Sequence, residues 1–193
     1  MNTQSSAGEA IVDRAPIQPL LRTDIRSLVG SVMMGVLMVL IVSLGDRIDA
    51  SLSGGAFPIF GGVAWAITMA LSALFFGLPG ALIAGEIQAV MDLALGVPLA
   101  PAFMVANAVG PVVFALVAHR LPMRSSVHYL IALAPAVILG NLCVAVFLVW
   151  ALQVPVGVLL VSELVVIAAS IGAGVFAVRA VAEAVWRSRI LTR

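Results

Sequence analysis

Six long apolar runs, separated by short breaks rich in Gly, Pro and Arg, limit what this chain can fold into. They cover approximately residues 27–45, 58–76, 80–95, 100–118, 127–152 and 156–178. A helix needs about 20 apolar residues to cross the hydrocarbon core of a bilayer, and most of these runs are near that length. Composition agrees, because 63% of the residues are hydrophobic, whereas soluble domains contain about 45–50% apolar residues. The sequence predicts an all-α integral membrane bundle of six transmembrane helices.

The arginines predict the orientation of this bundle. The chain has no lysine, and with the N-terminus inside, all ten basic residues except Arg47 fall on the cytoplasmic side. Positive charge is concentrated in the cytoplasmic loops of membrane proteins. We therefore expect a cytoplasmic N-terminal tail over residues 1–25, a six-helix transmembrane domain over 26–180 and a cytoplasmic C-terminal tail over 181–193.

Polar and aromatic side chains inside the apolar runs predict a binding pocket. A charge in hydrocarbon costs at least ~2.5–3.5 kcal/mol, so the intramembrane carboxylates Glu86, Asp92 and Glu163 indicate a functional site. Counting from the outer segment ends at the helical rise puts Trp65, Asn107 and Glu163 about 10 Å deep. We expect these five residues to bind a small planar ligand, with Glu86 accepting its hydrogen bonds and Trp65 covering its face. A solvated helix end for Asp92 and an interfacial anchor for Trp65 remain open, as does whether the acids face one cavity.

Small residues on the first helix predict close approach of another helix. Ser27, Ser31 and Gly35 recur at intervals of four, which places them on one face. Such small-residue faces let helix backbones approach closely in membranes. We expect this face to dock a partner subunit, and packing within the same bundle is an equally open alternative.

The sequence lacks the motifs of soluble-type catalysis and of metal binding. It has no CxxC, HExxH, GxSxG or Walker lysine motif, and its histidines, His119 and His128, flank a basic loop. The single cysteine, Cys143, lies in an apolar run and excludes an internal disulfide. We expect no enzymatic activity, no cofactor, no metal site and no nucleic-acid partner.

One part of the chain resembles a known family of transport proteins. The residues that carry the likeness are Pro58-Ile59-Phe60-Gly61 followed by Trp65, then Pro79-Gly80-Ala81 leading to Gly85-Glu86-Ile87, Asp92 and Gly96-Val97-Pro98. This pattern, over roughly residues 57–98, is similar to the substrate-binding S components of energy-coupling-factor (ECF) transporters. The YkoE type, assigned to thiamine or its hydroxymethylpyrimidine precursor, is the most similar.

The resemblance implies a function, a location and partners. It implies a subunit in a bacterial or archaeal plasma membrane that captures a small heterocyclic vitamin from outside for ATP-driven uptake. Its partners would be a scaffold transmembrane subunit and ABC ATPases, with docking through the first helix. Two alternatives stay open: a proton-coupled secondary carrier that uses its carboxylates as relays, and, less favoured, a membrane enzyme or assembly factor.

Overall fold

The computed structural model describes residues 18–54 and 56–188, and this part of the chain contains five helices and no strand. The all-α prediction is confirmed. The predicted tail residues 1–17 and 189–193 lie outside the described residues. The helices are α1 (Ile25–Ser53), α2 (Ile59–Ala94), α3 (Ala100–Ala118), α4 (Ser126–Leu152) and α5 (Val156–Ser188).

All five helices are long and apolar enough to cross a membrane. The shortest, α3, has 19 residues, or about 28 Å at the helical rise, close to the ~30 Å hydrocarbon core. Large apolar side chains cover their outer surfaces, as at Met33 (68% exposed) and Phe176 (69% exposed). Such surfaces are stable in lipid and not in water. The helices are those of a multi-pass membrane protein.

The predicted second and third apolar runs both lie within α2, which is broken at Gly77. Gly77 has φ 72° and ψ −174°, a conformation open essentially only to glycine. The chain preceding α1 lies against this break, because Leu78 N donates to Leu20 O (2.8 Å). Pro79 follows in the first turn of the second half, where a missing N–H costs nothing. We call residues 59–76 the first arm of α2 and residues 78–94 the second arm.

The two arms lie side by side. The Asn107 side chain of α3 is hydrogen-bonded both to Trp65 on the first arm and to Gly85 on the second. In a straight helix these two residues would be about 30 Å apart. The chain therefore reverses direction at Gly77.

The helix α1 packs along both arms and defines the two ends of the bundle. Near its start, Ser27 Oγ donates to Phe76 O (2.9 Å), and near its end Asp49 accepts from Phe60 N (3.0 Å). The Gly77 turn therefore lies at the end where α1 begins. We call this the arginine-rich end, since all the described arginines except Arg47 lie there, and we call the opposite end the cavity end.

The small-residue face of α1 is used inside the chain. Ser27 and Ser31 are 1% and 0% exposed, and Gly35 is buried against the second arm. A Cβ on Gly35 would lie 2.9 Å from Ile87 Cβ and 3.0 Å from Ala84 O. Because these three residues pack within the chain, they do not form an exposed face on which a scaffold subunit could dock. Their small size lets α1 approach α2, which is the alternative that the sequence left open.

Candidate functional site

A partly enclosed cavity of about 310 Å³ lies at the cavity end of the bundle. This volume is at the lower end of the range of small-molecule sites, about 300–1,000 Å³. All five helices contribute to its wall, most of which is apolar. Its polar and indole-bearing lining residues are Asp46, Asp49, Trp65, Gln88, Asn141 and Glu163. The cavity can hold a molecule of one or two small rings.

Trp65 forms a fixed aromatic wall of the cavity. Its indole fits between α3 and α4 at two glycines. A Cβ on Gly110 would lie 3.0 Å from Trp65 Cζ2, and a Cβ on Gly140 would lie 2.5 Å from Cη2. Side chains at these two positions would displace the ring, so glycine is what allows α3 and α4 to enclose it. Trp65 is thus a rigid surface on which a planar ligand can stack.

Asn107 holds Trp65 in place through a fully satisfied amide. Its Oδ1 accepts from Trp65 Nε1 (2.6 Å), and its Nδ2 donates to Gly85 O (2.7 Å) and to Gln88 Oε1 (2.8 Å). Gln88 Nε2 in turn donates to the carboxylate of Asp92. The structure places Asn107 and Asp92 behind the cavity wall, and Asn107 is only 1% exposed. They are linked to the cavity through Trp65 and Gln88.

Glu163 faces the cavity from α5 with part of its carboxylate unpartnered. Its Oε2 is buried and has no hydrogen-bond partner among the described residues. The helix that carries it is held close to the first arm, because a Cβ on Gly62 would lie 2.8 Å from Val166 Cγ1. A buried acceptor without a donor costs ~1–3 kcal/mol, and a ligand that supplies the donor recovers this.

Glu86 is not among the described residues that line the cavity. It follows Gly85, which faces Asn107, and is therefore turned about 100° away from that contact. On the same side of the second arm lie Val90 (52% exposed) and Leu93 (53% exposed). The structure thus brings Trp65, Glu163 and, behind them, Asn107 and Asp92 together at one site, and leaves Glu86 apart.

Two acids at the cavity were missed by sequence reasoning. The first predicted apolar run ends at residue 45, before Asp46 and Asp49, whereas α1 continues through both to Ser53. Their spacing of three along a helix places them on one face, which is the signal that was available. The carboxylate of Asp49 accepts from Phe60 N (3.0 Å) and Gly61 N (2.9 Å), so it caps the start of α2. The amides of Gln88 and Asn141 also line the cavity, and neither residue is among the predicted binding residues.

No family model, curated protein or solved structure matches this chain. The described lining residues include no hydroxyl, thiol, imidazole, ammonium or guanidinium group. Among the residues that the structure describes, no three His, Cys, Asp or Glu side chains are grouped so as to hold a metal ion. The indole of Trp65 and the unpartnered Oε2 of Glu163 together suit a small planar molecule that carries an N–H donor.

Proposed function

We propose that this protein is a membrane subunit that captures a small heterocyclic molecule in the cavity and presents it for uptake. The observation that carries the proposal is the unpartnered Oε2 of Glu163 in a cavity walled by the indole of Trp65. A planar ring can stack on that indole, or a cationic ring can use its π-face. A ligand N–H directed at Glu163 satisfies the free carboxylate oxygen.

More specifically, we propose that the protein is an S component of an energy-coupling-factor transporter and that thiamine or hydroxymethylpyrimidine is its ligand. Support comes from the resemblance over roughly residues 57–98, which includes Trp65 and the Pro79-Gly80 pair at the turn between the arms. In this proposal, ABC ATPases and a scaffold subunit supply the energy for release. The proposed location is the bacterial or archaeal plasma membrane.

Six membrane crossings are part of this proposal. In this proposal each arm of α2 crosses the membrane separately, since the chain reverses direction at Gly77, and both termini lie in the cytoplasm, which the arginine distribution favours. Cysteines introduced one at a time at Ser53, Leu95 and Ser125, in a Cys143→Ala background, test this by labelling of intact cells. We expect Ser53→Cys and Leu95→Cys to react from outside and Ser125→Cys only after permeabilisation. A single continuous α2 would put Leu95 on the opposite side from Ser53.

A proton-coupled carrier is the second candidate. One observation favours it: a hydrogen-bonded chain runs from Trp65 through Asn107 and Gln88 to the buried carboxylate of Asp92. Intramembrane carboxylates of this kind occur in proton relays. Thiamine uptake into proteoliposomes separates the two candidates. Uptake that needs co-reconstituted ATPases and ATP supports the transporter subunit, and uptake by the protein alone under a proton gradient supports the carrier.

A further inference from the structure

The side chains that line the cavity offer more free hydrogen-bond acceptors than donors, because three of their five N–H groups are already engaged. Trp65 Nε1 donates to Asn107, Gln88 Nε2 donates to Asp92, and Asn141 Nδ2 donates to Val137 O (2.8 Å). The indole has no second N–H to offer, and each amide retains at most one. The described lining has no basic side chain.

The start of α2 would ordinarily attract an anion, and Asp49 occupies it. Free N–H groups and the helix dipole make a helix N-terminus a natural site for phosphate or carboxylate. Here Phe60 N and Gly61 N both donate to the Asp49 carboxylate, and Gly62 N donates to Pro58 O (3.1 Å). The backbone donors that an anionic ligand needs are therefore used by the protein.

Two further carboxylates flank the same helix start from different sides. Asp46 of α1 lies against Gly61, and the stretch of α5 that carries Glu163 lies against the neighbouring Gly62. Both carboxylates line the cavity. Trp65 lies one turn further along the first arm. A ligand that stacks on this indole thus has negative charge within reach at Asp46 and at Glu163.

From this distribution of donors and acceptors we infer that the cavity selects by charge: it takes the cationic or N–H-rich form of its ligand and rejects anionic forms, phosphorylated ones included. Asp46 and Glu163 attract the positive group, and Asp49 blocks the anion site at the start of α2. The inference rests on the proposed function, since it supposes that the cavity holds a ligand. It adds which chemical form is captured: the unphosphorylated one.

Three probes of one shape and different charge test this inference without knowledge of the natural ligand. Benzamidine is a planar cation, benzamide is neutral and benzoate is an anion. Ligand-observed NMR on the purified protein in nanodiscs measures their dissociation constants. We expect benzamidine to bind most tightly, benzamide more weakly and benzoate not measurably.

Matched variants assign the selectivity to residues. Glu163→Gln and Asp46→Asn each remove one charge at nearly constant shape. Loss of a charge-assisted hydrogen bond should weaken benzamidine about ten- to a hundredfold and affect benzamide less. Glu183→Gln makes the same change on α5 at the arginine-rich end and should leave benzamidine affinity unchanged. Monodispersity in size-exclusion chromatography shows that each variant is folded. If one of the two cavity variants does not fold, the other can still be compared with the parent protein in benzamidine affinity.

Two outcomes overturn the inference. One is benzoate binding as tightly as benzamidine. The other is benzamidine affinity that neither Glu163→Gln nor Asp46→Asn reduces. Both concern the isolated protein, so they are distinct from failure of the proposed function, which the uptake assay decides. ATP-driven uptake of a phosphorylated vitamin would refute the charge selection and leave the transport function standing.

Discussion

Replacement of Asn107 by Leu tests how the two arms of α2 are held together around the cavity. The change removes all three hydrogen bonds of the amide at similar side-chain volume. The indole N–H of Trp65 and Oε1 of Gln88 then lose their partners. Gly85 O loses less, because a helix carbonyl normally also accepts from the N–H four residues later.

The expected loss of stability follows from these bonds. Interhelical hydrogen bonds in membranes contribute about 0.6 kcal/mol each on average, which gives about 2 kcal/mol for three. Two buried groups without partners cost ~1–3 kcal/mol each, which raises the upper limit. We expect Asn107→Leu to lower the free energy of unfolding by about 2–4 kcal/mol. Asn141→Leu is the matched control, because among the described residues its amide donates only to Val137 O of its own helix, and we expect a change under about 1 kcal/mol.

The assay is unfolding by SDS titration from mixed micelles, followed by ellipticity. A second readout is acrylamide quenching of Trp65 fluorescence in a Trp150→Phe, Trp186→Phe background. Quenching should increase in Asn107→Leu, since the indole loses the bond that fixes it. If Asn107→Leu and Asn141→Leu are equally stable and quench alike, Asn107 does not join the arms and the described cavity wall is wrong.

Two glycine pairs provide further predictions. Gly140→Ala, whose Cβ would lie 2.5 Å from the Trp65 ring, should lower the free energy of unfolding by about 1–3 kcal/mol through overpacking. The Cβ of Gly172→Ala meets nothing within 4 Å, so this variant should gain about 0.5 kcal/mol from helix propensity. Equal stability of the two variants in the same SDS titration would contradict the packing of the Trp65 indole between α3 and α4. Gly77→Ala combines positive φ with a Cβ 2.6 Å from Pro19 O, whereas Gly96→Ala has positive φ in open space. Strain alone costs about 1–3 kcal/mol, so Gly77→Ala should have the lower thermal midpoint in detergent, and the reverse order would refute a tight turn at Gly77.

The apolar runs predicted where most helices lie, because burial in lipid requires a continuous apolar stretch. The run at 100–118 coincides with α3, and the run at 127–152 begins one residue after the first residue of α4 and ends with it. The helix ends outside the apolar runs were missed. The last helix continues past residue 178 to Ser188, where Glu183 accepts from Arg179 (2.6 Å) and Arg187 (3.2 Å), one turn away on either side. These local ion pairs stabilise helix beyond the apolar run.

The common level of several site residues along the bundle could be predicted, but the direction of their side chains could not. Counting along each run placed Trp65, Asn107 and Glu163 at one level, and the structure brings them to one site. Which way a helix faces depends on its packing partners. Gly85 packs on Asn107 and so turns the adjacent Glu86 away, and α2 covers the small residues of α1. Neither relation is visible in one helix alone.

We expect the cavity to bind a small molecule through Glu163. Native mass spectrometry of the protein purified from its host, with Glu163→Gln and Glu86→Gln as matched variants, tests it most directly. We expect a bound small-molecule mass on the parent protein and on Glu86→Gln, and its loss from Glu163→Gln. No bound mass on the parent after supplementation with thiamine and hydroxymethylpyrimidine, or loss from Glu86→Gln with retention by Glu163→Gln, would contradict it.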